Sequence, residues 1–416
     1  MKFLSAIINR LKGIYLIGDW SSLKKCDVLF ISRDSDRPFI FDGRYYSPLI
    51  DSLQVDLQKL KFQSLSIALP YSTKIHNETF GMVLQFNLRY LVAELKDILI
   101  SFLLCRSVRR FRSKFWKKIL KLTSAKVVIS IHPNRDLIVV CRNLNVGVFD
   151  LQHGVISGEN YYSKKVWEVD PENVVFPDFL LWDQSSANKL QSLLVPYSPV
   201  SYIIGNPWIR RLNGQNENDI FINNLKLQFE KKITKKHCVL LTLQYGKGII
   251  DIEDTITDYL VEVIHAMRVD CQWLIKLHPA QCTGDEYENA IKFLNNKFKN
   301  LRDVVEWEAS SNSPLPILMQ LCTLHVTFNS GSAIEASKMG VYTGLLDRRY
   351  ELMEKWFGDY MKFGLIEILP EDKIEFISWI YNKSKRTSLI DQPIDEDFGF
   401  ANFISDIQFI GNNINA

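Results

Sequence analysis

The stretch TLHVTFNSGSAIEASKMGVYTGLL, residues 323–346, decides the fold class. Its first part, TLHVTFNS, is a short apolar run that ends in polar residues, which predicts a buried strand. The next part, SAIEASKMG at 332–340, predicts a helix that a glycine terminates, and VYTGLL at 341–346 predicts another buried strand. A helix between two such strands is typical of a parallel β–α–β unit.

The same alternation forms two blocks along the chain. Strands are predicted at 26–32, 64–70, 125–131 and 146–150 in the first block, and at 236–244, 271–279, 304–308, 323–330 and 341–346 in the second. Helices are predicted at 47–62, 80–122, 136–145, 254–268, 287–298, 315–322, 332–340 and from 371 onward, with polar coil at the end of the chain. This pattern predicts an α/β protein whose parallel sheets are flanked by helices.

Length and composition agree with two domains. The chain has 416 residues, of which 47% are hydrophobic and 23% are charged, and such values are typical of globular proteins. A polar segment rich in Asn, Gln and Lys separates the two blocks. We therefore expect a Rossmann-like domain at 1–206, a linker at 207–235 and a second Rossmann-like domain at 236–375, followed by a helix and tail at 376–416 that pack back on the first domain.

Charge and cysteine content exclude several classes of protein. The 50 basic and 47 acidic residues leave a net charge of only +3, which disfavours a general nucleic-acid binder. The seven cysteines form no CxxC pair, so we expect free thiols in a reducing compartment. No apolar run reaches the ~18 residues of a membrane span. We expect a cytoplasmic protein, peripheral on the inner face of the cytoplasmic membrane.

Sequence signals for cofactors and metals are missing. No GxxxxGK[ST] loop occurs and no GxGxxG opens the first β–α turn, which disfavours P-loop phosphoryl transfer and nicotinamide chemistry. A DxD-like triplet, Asp34-Ser35-Asp36, stands between Arg33 and Arg37, and we expect these arginines to pair with it. The sequence therefore predicts no cofactor and no bound metal.

The motif FDLQHG at 149–154 follows a predicted strand. Ligands of open α/β sheets collect at the carboxyl ends of the strands, so His153 is an ionisable group in a favourable place. A histidine suits a general base at neutral pH, and Asp150 precedes it by three residues. The alternative is a structural histidine that binds a backbone carbonyl.

The motif IKLHP at 275–279 also follows a strand. Lys276 and His278 are suited to contact a phosphate, and Pro279 makes the exit from the strand rigid. The alternative is a loop histidine before a turn proline. A second His-Pro pair, His132-Pro133, makes the motif less specific.

The motif TFNSGSAIEASKMG, which begins at Thr327, joins a strand to a helix N-terminus, where backbone amides bind phosphate well. Ser330 and Ser332 add hydroxyl donors on either side of Gly331, and Glu335 is placed to reach a ribose. The alternative is a capping box in which Ser332 and Glu335 cap the helix.

Two further strand ends carry candidate residues. The motif IIGNPW places Gly205 and Asn206 after a strand, and Gln244 ends the strand LTLQ. The alternatives are a plain exit turn and a turn amide. Because each of these motifs ends a strand of one of two sheets, we expect their residues to meet in a single cleft between the two domains.

A basic run at 106–121 alternates with aromatic and aliphatic residues and contains no acidic residue. Such a basic amphipathic helix suits an anionic membrane surface, and the alternative is a solvated helix face over a buried apolar stripe. The predicted membrane-surface residues are Arg109, Arg110, Arg112, Lys114, Trp116, Lys117 and Lys118.

In this order, LQHG, IIGNPW, LTLQ, KLHP and TFNSGSAIEA resemble motifs of the GT-B glycosyltransferases that build bacterial capsules and O-antigens. The nearest types use cytidine-nucleotide donors: Kdo transferases, polysialyltransferases with His-Pro and serine motifs, and CDP-glycerol polymerases of teichoic acid synthesis. The resemblance spans roughly 125–345. The polysialyltransferases have an acidic motif where this chain has Gln152-His153, and Gly331 divides the serine motif.

The resemblance implies two Rossmann-like domains that face a cleft, with the nucleotide on the second domain. It implies that His278 contacts the donor phosphate or acts as an acid toward the leaving group. Ser330 and Ser332 would hold phosphate, and Glu335 would hold the ribose. The partners would be a nucleotide-activated sugar donor and a lipid-linked or glycan acceptor, with no nucleic acid.

The QHG position matches the place of the catalytic base in related enzymes, so we expect His153 to be the base, with Asp150 as its orienter or rival. The hypothesis is a metal-independent glycosyltransferase that moves Kdo or another nonulosonic acid from a CMP donor onto a growing O-antigen, capsule or lipopolysaccharide chain. The alternatives are a CDP-glycerol or CDP-ribitol phosphotransferase, a UDP-sugar 2-epimerase-like isomerase and a non-catalytic scaffold.

Overall fold

A computed structural model gives the fold of the protein. It describes residues 18–33, 36–37, 39–41, 43–68, 83–104, 109–156, 174–213, 222–224, 226–227, 233–246, 250–282, 284–384 and 396–413. The contacts divide the chain into two compact units. The first unit is Met1–Trp208 together with Ile394–Ala416, and the second unit is Ile209–Pro393.

Strands and helices alternate along most of both units. The strands are β1 Val28–Ser32, β2 Phe39–Phe41, β3 Arg44–Tyr46, β4 Ser64–Ala68, β5 Val127–Ser130, β6 Gly147–Leu151, β7 Asp178–Leu181, β8 Ser201–Ile203, β9 His237–Thr242, β10 Cys271–Lys276, β11 Val305–Glu306, β12 Leu324–Thr327, β13 Tyr342–Leu345 and β14 Ile366–Ile368. The helices are α1 Pro48–Lys59, α2 Asn87–Leu104, α3 Arg110–Thr123, α4 Arg135–Asn143, α5 Gln184–Leu194, α6 Pro207–Asn213, α7 Ile252–Thr255, α8 Asp258–Ala266, α9 Gly284–Lys297, α10 Glu308–Asn312, α11 Leu315–Leu321, α12 Ser332–Lys338, α13 Tyr350–Lys362, α14 Lys373–Lys383 and α15 Glu396–Asn413.

The first unit contains a parallel sheet with the strand order β4-β1-β5-β6-β7-β8. Every residue of β1 and β5 is buried. Side chains alternate between the two faces of a strand, so burial of every residue means that helices cover both faces. Leu29 and Val128 pack with Trp116 of α3, while Phe30 packs with Leu53 of α1 in a separate cluster.

The last described helix, α15, also belongs to the first unit. Phe403 and Ile407 are buried in one cluster with Phe149 and Leu180 of the sheet, and the rings of Phe149 and Phe403 have centroids 5.3 Å apart. The polar coil expected at the end of the chain is therefore wrong for 396–413. Two apolar residues four positions apart share a helix face, and the sheet covers that face here.

The second unit contains another parallel sheet, with the strand order β11-β10-β9-β12-β13-β14. β9 and β10 are buried throughout. Val239 and Trp273 pack with Ile264 of α8, whereas Leu240 packs with Leu318 of α11 in a different cluster. Both units are thus layered alike, and the predicted α/β class with parallel sheets flanked by helices is confirmed.

One long predicted helix is divided in two. The region 80–122 contains α2 and α3, while 80–82 and 105–108 lie outside the described residues. The carboxylate of Asp97 in α2 accepts hydrogen bonds from the backbone N–H groups of Phe111 at 2.8 Å and Arg112 at 3.0 Å. The first N–H groups of a helix have no partner within it, so Asp97 stabilises the start of α3 and holds the two helices together.

The predicted linker begins with ordered structure. α6 occupies Pro207–Asn213, Trp208 is buried, and the side-chain oxygen of Asn206 accepts a hydrogen bond from the Trp208 N–H at 3.0 Å. The division between the two units falls within this helix. Much of the remaining predicted linker, namely 214–221, 225 and 228–232, lies outside the described residues.

Gly399 tests the packing of α15 on β8. A Cβ atom at this position would lie 2.0 Å from the carbonyl oxygen of Ile203, so Gly399→Ala forces the helix away from the sheet. We expect the free energy of unfolding to fall by about 1–3 kcal/mol, the usual cost of overpacking, in urea titrations followed by circular dichroism.

Gly358→Ala in α13 is the matched control. Its Cβ atom would meet only Cγ of Glu354, at 3.4 Å, and alanine is the better helix former. An equal loss of stability in both variants would contradict the close packing of α15.

Candidate active site

Two histidine rings meet at the carboxyl end of the first sheet. His132 follows β5 and His153 follows β6, and their rings pack edge to face with centroids 4.0 Å apart. Arg33 follows β1, and its guanidinium group lies 3.4 Å from His132 Nδ1 and donates a hydrogen bond to the His132 carbonyl oxygen at 3.1 Å. Three neighbouring strand ends thus bring two imidazoles and a cation together.

The backbone of His132 is held in an unusual conformation. Its φ of +54° lies in the left-handed region, which costs free energy for a residue other than glycine. The carboxylate of Asp150 accepts a hydrogen bond from the His132 N–H at 2.9 Å, and Asp150 is fully buried. Asp150 therefore positions the His132 loop, and its predicted role as orienter or rival base to His153 stays a prediction.

Both imidazoles are neutral at pH 7. Burial lowers the pKa of His132 to about 2, and the charges of His153 and Arg33 act in the same direction. Burial lowers the pKa of His153 to about 4, with a smaller contribution from Arg33, while a hydrogen bond to the Leu151 backbone acts in the opposite direction. A neutral imidazole has one nitrogen with a lone pair, which is the form that accepts a proton.

Sequence reasoning missed His132 as a site residue. The signal that could have found it is the His132-Pro133 pair, which follows a predicted strand as the His278-Pro279 pair does. Gln152, which fills the place of an acidic motif in the resembled enzymes, is a buried support: it accepts a hydrogen bond from the Trp182 N–H at 2.8 Å and donates to Ser186 Oγ at 3.0 Å.

A buried ion pair lies close to the end of β1. The guanidinium group of Arg37 lies 2.7 Å from the carboxylate of Asp51, both side chains are nearly excluded from solvent, and Nε of Arg37 donates to Ser32 Oγ at 3.3 Å. Arg37 thus pairs with Asp51, while the carboxylate of Asp36 accepts a hydrogen bond from the backbone N–H of Arg33 at 2.6 Å; the pairing of Arg37 with the DxD-like triplet stays a prediction. Asp34 and Ser35 lie outside the described residues.

Within the residues that the structure describes, no group of three or more His, Cys, Asp or Glu side chains is arranged to hold a metal ion.

In the second unit, His278 is fixed as a hydrogen-bond donor. Its ring atom Nδ1 accepts a hydrogen bond from the backbone N–H of Ala280 at 3.2 Å. The backbone N–H of His278 donates to Oε1 of Gln281 at 3.2 Å. Burial lowers the pKa of His278. Because Nδ1 is an acceptor, the proton of the neutral ring lies on Nε2. His278 therefore presents its Nε2–H group as a hydrogen-bond donor, and its role toward the donor phosphate stays a prediction.

Lys276 has a structural role in this fold. Its ammonium group donates to the carbonyl oxygens of Ser310 at 3.3 Å, Ser311 at 3.1 Å and Ser313 at 2.5 Å. Three carbonyls match the three donors of an ammonium group, so Lys276 binds the C-terminal end of α10. Burial lowers its pKa to about 8, and a contact with the donor phosphate stays a prediction.

The two serines of the motif, Ser330 and Ser332, have different roles. Oγ of Ser332 lies 2.8 Å from Oγ1 of Thr242, which lies 2.9 Å from Nε2 of the buried His325. Oγ of Ser330 accepts a hydrogen bond from the Ser332 N–H at 3.3 Å. Ser332 thus belongs to an internal network, and Ser330 is the hydroxyl at the helix start.

The capping box proposed as the alternative does not form. Gly331, which has no side chain to act as a cap, is the N-cap residue of α12, and the side-chain acceptor at the helix start is Oγ of Ser330. Glu335 lies in the first turn of α12. Burial has the larger effect on the pKa of Lys276 and lowers it, and the charge of Glu335 partly opposes this lowering. Thr327 donates a hydrogen bond from Oγ1 to the Thr242 carbonyl at 3.0 Å, and this bond ties β12 to β9.

Gln244 belongs to a polar cluster that the sequence did not reveal. Its Oε1 accepts a hydrogen bond from the Asn329 N–H at 3.2 Å. Nδ2 of Asn329 donates to Asp347 at 2.6 Å, and Arg349 binds the same carboxylate at 2.6 Å and 2.9 Å. Burial alone would raise the pKa of Asp347, but these hydrogen bonds hold it below the ordinary value.

The remaining predicted positions shape the exits of strands. Gly205 has a φ of +73°, which glycine adopts without strain, and Asn206 caps the start of α6 as described above. Pro279 begins the short 3-10 turn after β10. The structure therefore gathers one cluster at the carboxyl end of each sheet. Their convergence on one cleft stays a prediction.

The predicted membrane residues divide between the core and the surface of α3. Trp116 is 0% exposed, so its assignment to a membrane surface is wrong: it packs under the helix against the sheet. Arg112 lies 3.2 Å from Asp97 and 3.5 Å from Asp136, and Arg109 lies 3.3 Å from Asp136. Four of the predicted residues are exposed without such a pairing in the structure: Arg110, Lys114, Lys117 and Lys118. Among the described residues, no helix has both the length and the apolar content for a membrane crossing.

Solved structures with a similar fold include two kinds of enzyme. UDP-GlcNAc 2-epimerase from Methanocaldococcus jannaschii is 14% identical, with 92% of this chain and 99% of that chain covered and a TM-score of 0.56. The Neisseria meningitidis epimerase bound to UDP-GlcNAc gives the same values. The wall teichoic acid polymerase TagF is 12% identical, with 100% of this chain and 97% of that chain covered and a TM-score of 0.55.

The chain has the GT-B fold. At 12–14% identity the likeness to these enzymes is one of fold, and function does not follow from fold alone. No family model matches the sequence, and no curated protein matches it.

The two rings at the end of the first sheet have a testable titration. As the pH falls, His153 takes up its proton only near pH 4 and His132 only near pH 2. We expect the Cε1–H signals of both rings to stay constant between about pH 5.5 and 8, where an ordinary histidine titrates, in NMR spectra of histidine-labelled protein.

The variants His153→Asn and His132→Asn assign the two signals, and the urea-unfolded chain is the control, because its histidines titrate near 6.5. A midpoint near 6.5 for the His153 signal in the folded protein would contradict the buried, neutral pair.

Proposed function

We propose that this protein is a GT-B transferase that takes a sugar from a nucleotide donor and uses His153 as the base toward the acceptor. The observation that carries the proposal is the neutral His153–His132 pair at the carboxyl ends of β5 and β6, since ligands of open α/β sheets bind at that edge. We place the acceptor on the first unit and the nucleotide on the second.

The proposed reaction gives His153 and His278 separate tasks. One ring nitrogen of His153 is engaged by the Leu151 backbone, and the other takes the proton from the acceptor hydroxyl as its oxygen attacks the sugar. The bond between the sugar and the donor phosphate breaks, and its electron pair goes to the phosphate oxygen. The Nε2–H group of His278 donates a hydrogen bond to this leaving phosphate, so we propose that no metal is needed.

Arg33 and His132 support the base in different ways. The hydrogen bond from Arg33 to the His132 carbonyl holds the loop after β5, and the perpendicular contact with the His132 ring fixes the plane of the His153 ring. A fixed ring plane lets the base meet the acceptor hydroxyl in one orientation, which is how positioning lowers a barrier.

The finer proposal is a CMP donor that carries Kdo or another nonulosonic acid, with a growing surface polysaccharide as the acceptor. The order of the LQHG, KLHP and serine motifs supports it. A CDP-glycerol or CDP-ribitol phosphotransferase is the second candidate, because TagF, which has been soaked with CDPG, aligns with the whole chain. A UDP-sugar 2-epimerase is the third, because epimerases align over 92% of it.

Nucleotide binding separates these candidates. A ligand that binds only the folded state raises the melting temperature, by an equivalent of about 2.7 kcal/mol at a hundredfold excess over Kd. We expect CMP to raise the melting temperature more than CDP, UDP or GDP, in thermal scans of the purified protein.

His278→Ala should abolish the shift, whereas His265→Ala on the surface of α8 should keep it. A larger shift with CDP would favour the polyol-phosphate reaction, and a shift with UDP alone would favour the epimerase. No shift with any of the four nucleotides would refute the transferase.

His153→Gln separates the chemical step from binding. The amide keeps a polar side chain but cannot accept the proton, and general base catalysis contributes about 10²–10⁴-fold to a rate. We expect CMP release from CMP-Kdo in the presence of a glycan acceptor to slow by that factor, while the melting shift with CMP is unchanged. A variant with full activity would remove His153 from the mechanism.

A further inference from the structure

Helix α2 has a face made of solvent-exposed apolar side chains. Its inner face is formed by Tyr90, Ala93 and Asp97, which are buried. The opposite face is apolar and open to solvent: Phe102 is 80% exposed and Leu99 is 60% exposed. The large exposed apolar residues of α2 are Val92, Leu95, Ile98, Leu99, Phe102, Leu103 and Leu104.

The spacing of these residues makes them one surface. Val92, Leu95, Leu99 and Phe102 follow one another at intervals of three or four residues, so they line a single side of the helix over about three turns. Single exposed apolar residues are ordinary on a protein surface, but a contiguous apolar stripe marks a binding surface.

A basic face borders this apolar stripe. In α3 the residues Arg110, Lys114, Lys117, Lys118 and Lys121 are exposed and share one side of the helix. The side chains of Phe115, Trp116, Ile119 and Leu120 lie on the other side and are buried. The sequence of α3 contains no acidic residue.

Contacts between the helices join the two faces into one surface. The Phe111 ring of α3 lies 5.7 Å from Nζ of Lys96 in α2 and 5.6 Å from Nζ of Lys114 in α3. Asp97 links the helices from within by capping α3. Asp97 and Asp136 are turned inward to Arg112, so these two carboxylates do not neutralise the exposed lysines.

We propose that the apolar face of α2 and the basic face of α3 together dock the protein on an anionic lipid bilayer. The apolar residues enter the region between head groups and acyl chains, and the lysines and Arg110 bind the anionic head groups. Charge complementarity selects this partner over a second copy of the chain, because two copies would bring their own basic faces together. The inference does not depend on the proposed transfer reaction.

Vesicle flotation tests the proposal with the full chain. We expect binding to vesicles that contain about one-third phosphatidylglycerol, weaker binding to pure phosphatidylcholine, and loss of binding as salt rises. Two variants separate the contributions of the surface. Arg110→Gln/Lys117→Gln/Lys121→Gln should weaken binding to the anionic vesicles about tenfold or more, and Leu99→Asn/Phe102→Asn should weaken it on the same vesicles through loss of apolar burial.

Matched controls exist on other surfaces. Lys59→Gln/Lys292→Gln/Lys299→Gln removes the same charge from exposed positions elsewhere, and Val269→Asn/Phe363→Asn removes exposed apolar side chains from the second unit. Both controls should bind vesicles like the unaltered protein. All four variants change exposed side chains, so we expect each of them to fold, and thermal scans check this.

Three results would overturn the proposal. The first is no binding of the unaltered protein to phosphatidylglycerol vesicles, and the second is that both surface variants bind these vesicles as tightly as the unaltered protein does. The third is a change from dimer to monomer in sedimentation velocity with Leu99→Asn/Phe102→Asn, which would assign the apolar face to a second copy. The CMP-dependent melting shift reads out the donor site separately, so the two proposals fail independently.

Discussion

Parallel strands that are buried on both faces leave only their ends for chemistry. In β1, β5, β9 and β10 every side chain is enclosed by helices, so polar groups collect where the strands stop. The same enclosure removes water from those groups, and desolvation disfavours their charged forms. This constraint explains why His132, His153 and His278, which follow strands, all have pKa values below the ordinary value.

The sequence predicts the sheets well where strands are long and buried. The runs that contain β1, β9 and β10 are continuous in apolar residues, and the structure confirms each of them. Short or mixed segments were missed: β14 has three residues and the hairpin of β2 and β3 pairs only three with three. Such segments owe their conformation to neighbouring elements, which local pattern cannot show.

The sequence predicts where the candidate site residues lie, but not which groups their side chains contact. In both units the candidate polar residues lie at the ends of strands, as predicted. The type of a residue does not predict which partner its side chain binds. Lys276 turned inward to three carbonyls, Ser332 joined the hydroxyl of Thr242, and Trp116 went into the core beneath its basic helix. His132 became significant only when β5 and β6 were placed side by side, since pairing between strands is a property of the fold.

The packing of α15 on the first sheet has a consequence for the order in which the protein is made. The second unit is a continuous stretch of chain, whereas Phe403 and Ile407 complete a core whose other members were synthesised more than 190 residues earlier, at Leu180 and Ile204. Domains fold as units while the ribosome is still at work. The first unit therefore cannot complete this core until α15 has been synthesised, which comes after the whole of the second unit.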